Sequence, residues 1–152
     1  MVNQHVGNVG AVHAISARFT AVILLGLAAL HVAWGAGSSV PFDDRDDLAD
    51  AVVGTTAVPP PASCYTVAGA LMAAAALVLG LPAGRPVFRR AGLLGVTTVL
   101  GGRGLLGLAG RTDLASPGST SPRFRRLDRR LYSPLCLALA GGAWSAARTS
   151  RR

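Results

Sequence analysis

The chain has 152 residues, 51% of them hydrophobic and 14% charged, with a net charge of +8. Its 15 basic residues are all arginine and its 7 acidic residues all aspartate. A chain this apolar is not intrinsically disordered, and two cysteines cannot build a disulfide scaffold. A charged fraction well below the roughly 25% of soluble domains points to the membrane, and the length to one domain.

Four apolar stretches follow one another along the chain. Residues 19–36 (FTAVILLGLAALHVAWGA) carry no charge. Residues 64–81 (CYTVAGALMAAAALVLGL) form the second, and residues 91–110 the third, interrupted by Arg103. Residues 131–147 (LYSPLCLALAGGAWSAA) form the fourth. At 1.5 Å per residue each covers roughly 25–30 Å, about one hydrocarbon core. Packed as four helices of a soluble protein, these stretches would leave short loops to supply all the polar cover. The expected fold is therefore all-α: a polytopic membrane protein built as a four-transmembrane-helix bundle. Arg18 before the first stretch and small residues after it resemble a signal peptide, but its apolar core is long for one and three more stretches follow.

The connecting segments differ in character. Residues 38–63 hold five aspartates and end in Pro59-Pro60-Pro61. Asp46, Asp47 and Asp50 can share a short helical turn, but a solvated acidic loop is the expectation, without the ligand spacing of a calcium site. Residues 82–90 form a basic turn, and residues 111–130 run from a Pro/Gly/Ser stretch into a dense arginine run. The run Arg123–Arg130 could bind anionic lipid if cytoplasmic; tied so closely to a span, its nearer partner is lipid phosphate, and nucleic acid is not expected.

Arginine counts do not decide the orientation. With both termini cytoplasmic, the inside holds Arg18, Arg85, Arg89, Arg90, Arg148, Arg151 and Arg152, against Arg45, Arg111, Arg123, Arg125, Arg126, Arg129 and Arg130 outside. The acidic 38–63 segment tips the expectation toward cytoplasmic termini. In any four-span chain, the 38–63 and 111–130 segments share one side.

Unusual polar residues gather under that side. His31 lies roughly 7–8 Å below the loop end of the first stretch and Arg103 roughly 10 Å below that of the third, at the helical rise. Trp34 shares His31's face, Cys136 lies near the depth of His31, and Tyr132, Cys64 and Asp128 sit at the boundary. A central arginine costs about 2.5–3.5 kcal/mol to insert and faces a partner or a wet cavity. Arg103 would either hold an anion, headgroup or carboxylate, or serve structurally, paired with Asp128 or Asp113 or snorkelling toward the surface. His31 is expected to hydrogen-bond across the bundle, with no second ligand at metal spacing. A disulfide or redox pair between Cys64 and Cys136 is geometrically open. Trp34, Tyr65 and Tyr132 suit an interfacial aromatic belt. The chain carries no HExxH, GxSxG or phosphate-loop motif, and no glutamate or lysine.

Leu30-His31-Val32-Ala33-Trp34-Gly35-Ala36-Gly37, and Asp128 through Tyr132-Ser133-Pro134-Leu135-Cys136, resemble a bacterial four-helix membrane family known as domain of unknown function 3995. Its first span ends in His-x-x-Trp-x-x-Gly, and its last opens with Asp, an aromatic and Ser-Pro-Leu-Cys. An arginine late in the third span also fits, at Arg103. The resemblance implies architecture and a retained first helix, with no activity to carry over. The arginine-rich 111–130 segment departs from the family pattern.

Three functions follow as expectations. The first is a protein of the cell membrane binding a lipid or small anionic ligand in a polar pocket under the two loops, with His31, Trp34, Arg103, Asp128, Tyr132 and Cys136 as the candidate ligand-binding residues. The second is a membrane thiol or quinone redox enzyme using Cys136 with Cys64 or His31. The third is a structural or accessory subunit. No catalytic residue, metal or cofactor is expected. Membrane lipids are the expected partners, and the glycine-rich faces allow a homo-oligomer.

Overall fold

A computed structural model describes residues 2–81, 84–115 and 117–149, with side chains from residue 14 onward except that of residue 115. Arg151 and Arg152, residues 82 and 83 of the basic turn and residue 116 lie outside the described residues.

The described chain is helical, with no strand among those residues. Helix α1 spans Val2–Gly35, α3 spans Pro61–Leu79 and α4 spans Pro86–Leu108, with the short α2, Arg45–Leu48, between the first two. After α4 come α5, Thr112–Ala115, then α6, Pro122–Leu127, and α7, Ser133–Thr149. Two π-helical turns complete the path: Ala49–Val53 extends α2, and Asp128–Tyr132 joins α6 to α7. Local chemistry sets the boundaries. Proline stands in the first turn of α3 and α4, where its missing N–H costs nothing. Helix α3 ends at Gly80, whose φ of 83° is left-handed and whose N–H closes on the Ala76 and Leu77 carbonyls.

Among the described residues, three helical segments are long and apolar enough to cross a membrane: Ala14–Gly35, Pro61–Leu79 and Pro86–Leu108. Helix α7 has 17 residues, at the short end of what a bilayer core requires. The outer faces of the long helices are apolar and open, with Phe19 and Val99 each more than two-thirds exposed. Soluble monomers rarely show such continuous apolar surface.

Helix α1 packs chiefly on α3, and α4 on α7, with α1 also touching α7. Small residues let the backbones approach, as in other membrane helix pairs. Leu24 and Leu93 are fully buried among Ala21, Ala75, Val78 and Ala143. At the α1–α7 crossing, a Cβ on Gly142 would stand 2.1 Å from Thr20 Oγ1, so only glycine allows this approach.

The segments expected as loops are partly helical and fold onto one another. Leu48, Ala49, Ala51 and Phe124 are all at most 2% exposed, so this cap has its own small core. Phe124 sits against Gly54, where a Cβ would come within 2.8 Å of its ring. The Gly54 carbonyl accepts from the Thr120 and Ser121 N–H groups at 3.0 and 3.2 Å. The Ser119 hydroxyl donates to the Val53 carbonyl, and the Tyr132 hydroxyl donates to the Ala51 carbonyl at 3.0 Å. The expectation of a merely solvated acidic loop is thus corrected: Arg123 pairs with Asp47 and lies 3.7 Å from Asp50.

Candidate functional site

Arg103 has an acidic partner. Its Nη2 donates to Asp128 Oδ1 at 2.6 Å, and the Ser133 hydroxyl donates to the same oxygen at 3.3 Å. Asp128 is fully buried. The π turn places Asp128 toward α4, where Gly107 receives it and Gly104 admits α7 one turn away. A Cβ on Gly107 would lie 1.9 Å from Ser133 Oγ and 2.6 Å from Asp128 Oδ2, while one on Gly104 would strike Leu137. Arg103 Nη1 and Asp128 Oδ2 are buried without a hydrogen-bond partner. Of the two roles open to Arg103, the pair with Asp128 is the one formed; Asp113 pairs instead with Arg111 at 3.5 Å.

His31 bonds within its own helix and not across the bundle. Its Nδ1 lies 2.8 Å from the Leu27 carbonyl, one turn back on the same helix. A carbonyl only accepts, so Nδ1 carries the proton and, in the neutral ring, Nε2 is left as an acceptor. Trp34 rests against this ring, with centroids 4.8 Å apart. Its Nε1 donates to the Val40 carbonyl at 2.6 Å. Trp34 is 8% exposed, and Tyr132 is held by Ala51, so both are tied into the cap instead of forming a lipid-facing belt. Tyr65 remains half-exposed, lying over Gly35.

Cys64 and Cys136 are free thiols in different surroundings. Cys64 is buried with Trp34 and Leu48, whereas Cys136 lies half-buried on α7. Among the described residues, no three His, Cys or Asp side chains gather as a metal site.

His31 and Trp34 line a hollow of about 180 Å³ with Leu48, Val58, Ser63, Cys64 and Val67, and Arg103, Asp128, Tyr132 and Cys136 are not part of its wall. A second cavity, of about 390 Å³, is lined by Gly107, Gly110, Thr112, Arg125, Arg126, Arg129 and Arg130. Its four arginines stand at i, i+1, i+4 and i+5, a spacing that puts them on one broad helical face. That spacing was present in the sequence; Gly107, Gly110 and Thr112 were not singled out, because nothing local marks them as neighbours of the run. A third hollow, of about 350 Å³, is lined by Asp46, Asp50, Gly54, Thr55, Thr120 and Ser121 among others. Beside it, the Asp47 carboxylate holds the Arg123 guanidinium above its ordinary pKa, chiefly by hydrogen bonding, with Asp50 adding to the effect.

Three long apolar helices with a folded polar cap mark a helical membrane protein. A family model described as "Protein of unknown function (DUF3995)" matches residues 24–143, and the chain belongs to that family. The match spans the His31–Trp34 and Asp128–Cys136 motifs alike. No curated protein and no solved structure matches the chain.

Proposed function

We propose that this chain is a four-span protein of a bacterial cell membrane, with α7 as the fourth span and both termini cytoplasmic, that holds the phosphate of an anionic lipid in the arginine-lined cavity. The cavity is the observation that carries this reading. Four arginines line about 390 Å³, within the size range of small-molecule sites. Guanidinium forks match phosphate oxygens two at a time. Gly107 and Gly110 bring bare backbone into the wall, and Thr112 lines it beside them. Helix α4 ends at Leu108, so the cavity lies where an apolar span gives way to a polar segment, at headgroup level. Arg103 is not the anchor in this reading, since Asp128 already neutralises it.

The test is native mass spectrometry of the detergent-solubilised protein with phosphatidylglycerol or phosphatidylcholine added. Phosphatidylglycerol should be retained preferentially, and the Arg125→Gln, Arg126→Gln, Arg129→Gln, Arg130→Gln variant should lose that preference while keeping its helical circular dichroism. Equal retention by the variant would sink the reading. Competition by inorganic phosphate would assign the cavity to free anions instead of a lipid. A C-terminal reporter fusion checks the orientation.

A further inference from the structure

The hollow beside α1 and α3 shares no lining residue with the arginine cavity and has the opposite chemistry. We infer that it is a binding site for an uncharged, membrane-dissolved ring bearing a hydroxyl group, a phenol or hydroquinone moiety, whose hydroxyl donates to His31 Nε2.

Four observations lead there. The first is size. The hollow measures about 180 Å³, and an apolar cavity of about 150 Å³ accommodates a benzene ring. The second is polarity. No charged residue lines it, and valines with Leu48, Trp34 and Pro59 make most of the wall. An ionised group would have to shed its water there without a counter-charge. The third is the fixed polarity of His31. Its Nδ1–H is committed to Leu27, so the neutral ring offers the hollow an acceptor and no donor. Among the described residues no side chain bonds to that second nitrogen. The Trp34 indole N–H is likewise committed, to Val40, so it cannot compete for the acceptor. The fourth is the approach. Ser63 and Val67 stand at i and i+4 on the first turns of α3, and both are exposed. Among the lining residues these two are the exposed ones, the rest being buried or half-buried, so the most open part of the wall stands on a membrane-length helix where a bilayer-dissolved molecule would arrive.

Trp34 lines the hollow, which makes occupancy visible by fluorescence. Trp144, the other tryptophan, lies on α7 and is replaced by Phe to leave Trp34 alone. The probe is 4-bromophenol, whose bromine quenches indole on contact, with bromobenzene as its hydroxyl-free counterpart. In detergent, 4-bromophenol should quench Trp34 saturably. Bromobenzene should bind about tenfold more weakly, the loss of one well-shielded hydrogen bond. His31→Phe should remove the difference between the two probes, and His31→Gln, which restores an acceptor, should recover part of it. Val67→Phe, which fills the mouth without touching His31, should abolish saturable quenching of either probe. Linear quenching that is alike in all variants would reduce the effect to partition into the micelle and overturn the site. Saturable but equal binding of the two probes would overturn the hydroxyl recognition. The arginine-cavity variants should leave every one of these readings unchanged, so the two sites fail or stand separately.

Discussion

Arg103 on α4 and Asp128 at the start of the helical rod leading into α7 meet at 2.6 Å, with the carboxylate fully buried and the guanidinium about one-quarter exposed. Twenty-five residues separate them in sequence, yet each supplies what the other's depth demands. The aspartate needs a counter-charge away from water, and the arginine needs a partner within an apolar span. Removing either half is therefore more harmful than removing both. Asp128→Ala should destabilise the protein by about 3 kcal/mol in detergent, whereas Arg103→Leu with Asp128→Leu should recover most of the loss. Denaturant unfolding of the singles and the double measures this. A double variant no better than Asp128→Ala would show that the loss does not come from an unpaired buried charge.

Gly107, the glycine that receives this pair, gives a second expectation. Gly107→Ala would drive a methyl into Ser133 and Asp128, and overpacking of this kind costs about 1–3 kcal/mol. Gly102→Ala, on the same helix, meets nothing within 4 Å and should be neutral or slightly stabilising through helix propensity. Thermal unfolding of both variants provides the comparison, and equal effects would contradict the packing argument.

The cap should separate into a strong and a weak contribution. Phe124 is 2% exposed and seated on Gly54, so Phe124→Ala should cost about 3 kcal/mol. Tyr132→Phe removes only the hydroxyl that reaches Ala51, worth about 1 kcal/mol. Limited proteolysis of the 38–63 segment would report both, with the faster cleavage expected in Phe124→Ala.

Salt and pH should act differently on the Arg123 contact with Asp47 and Asp50. Arg123 is raised above its ordinary value in the folded protein. Its contribution is therefore fully present below the ordinary guanidinium range and fades only as pH climbs through that range and above it. Between pH 7 and 10, titration of Arg123 should not loosen the cap. About 1 M salt, which shortens the screening length to about 3 Å, should do so. Arg123→Gln should remove that salt sensitivity in the same proteolysis assay.

Free cysteines predict an unremarkable gel. The protein should migrate identically with and without reductant, and Cys64→Ser with Cys136→Ser should keep its fold. A mobility shift on reduction would revive the pairing that sequence position left open.

Much of the helical framework was legible because apolar runs of bilayer length leave few other solutions. Arg103 also announced a partner by its depth, and Asp128 was one of two aspartates named for it. The cap was harder to read. Leu48, Ala51 and Phe124 sit in segments dominated by aspartate, proline and arginine, so their burial depends on two distant stretches meeting. His31 illustrates a different limit. Its helical position was readable, but whether Nδ1 bonds forward across a bundle or back to Leu27 depends on a rotamer that no spacing encodes. Separation of the depth-matched residues into two surroundings was equally hidden, because depth along a helix says nothing about which neighbour it faces.

The π turn at Asp128–Tyr132 has a consequence for how this chain tolerates length changes. It holds one residue more than a regular turn would, between the arginines of α6 and the buried face of α7. A π turn closes its hydrogen bonds over five residues where an ordinary helix uses four. Deleting a single residue after Asp128 would therefore let the rod wind as an ordinary helix while cap and bundle keep nearly the same phase. A residue lost from the regular winding of α7 has no such slack and would rotate everything before it by about 100°. A single deletion in this segment should therefore be better tolerated than one within α7, which makes these five residues the chain's slack between cap and bundle.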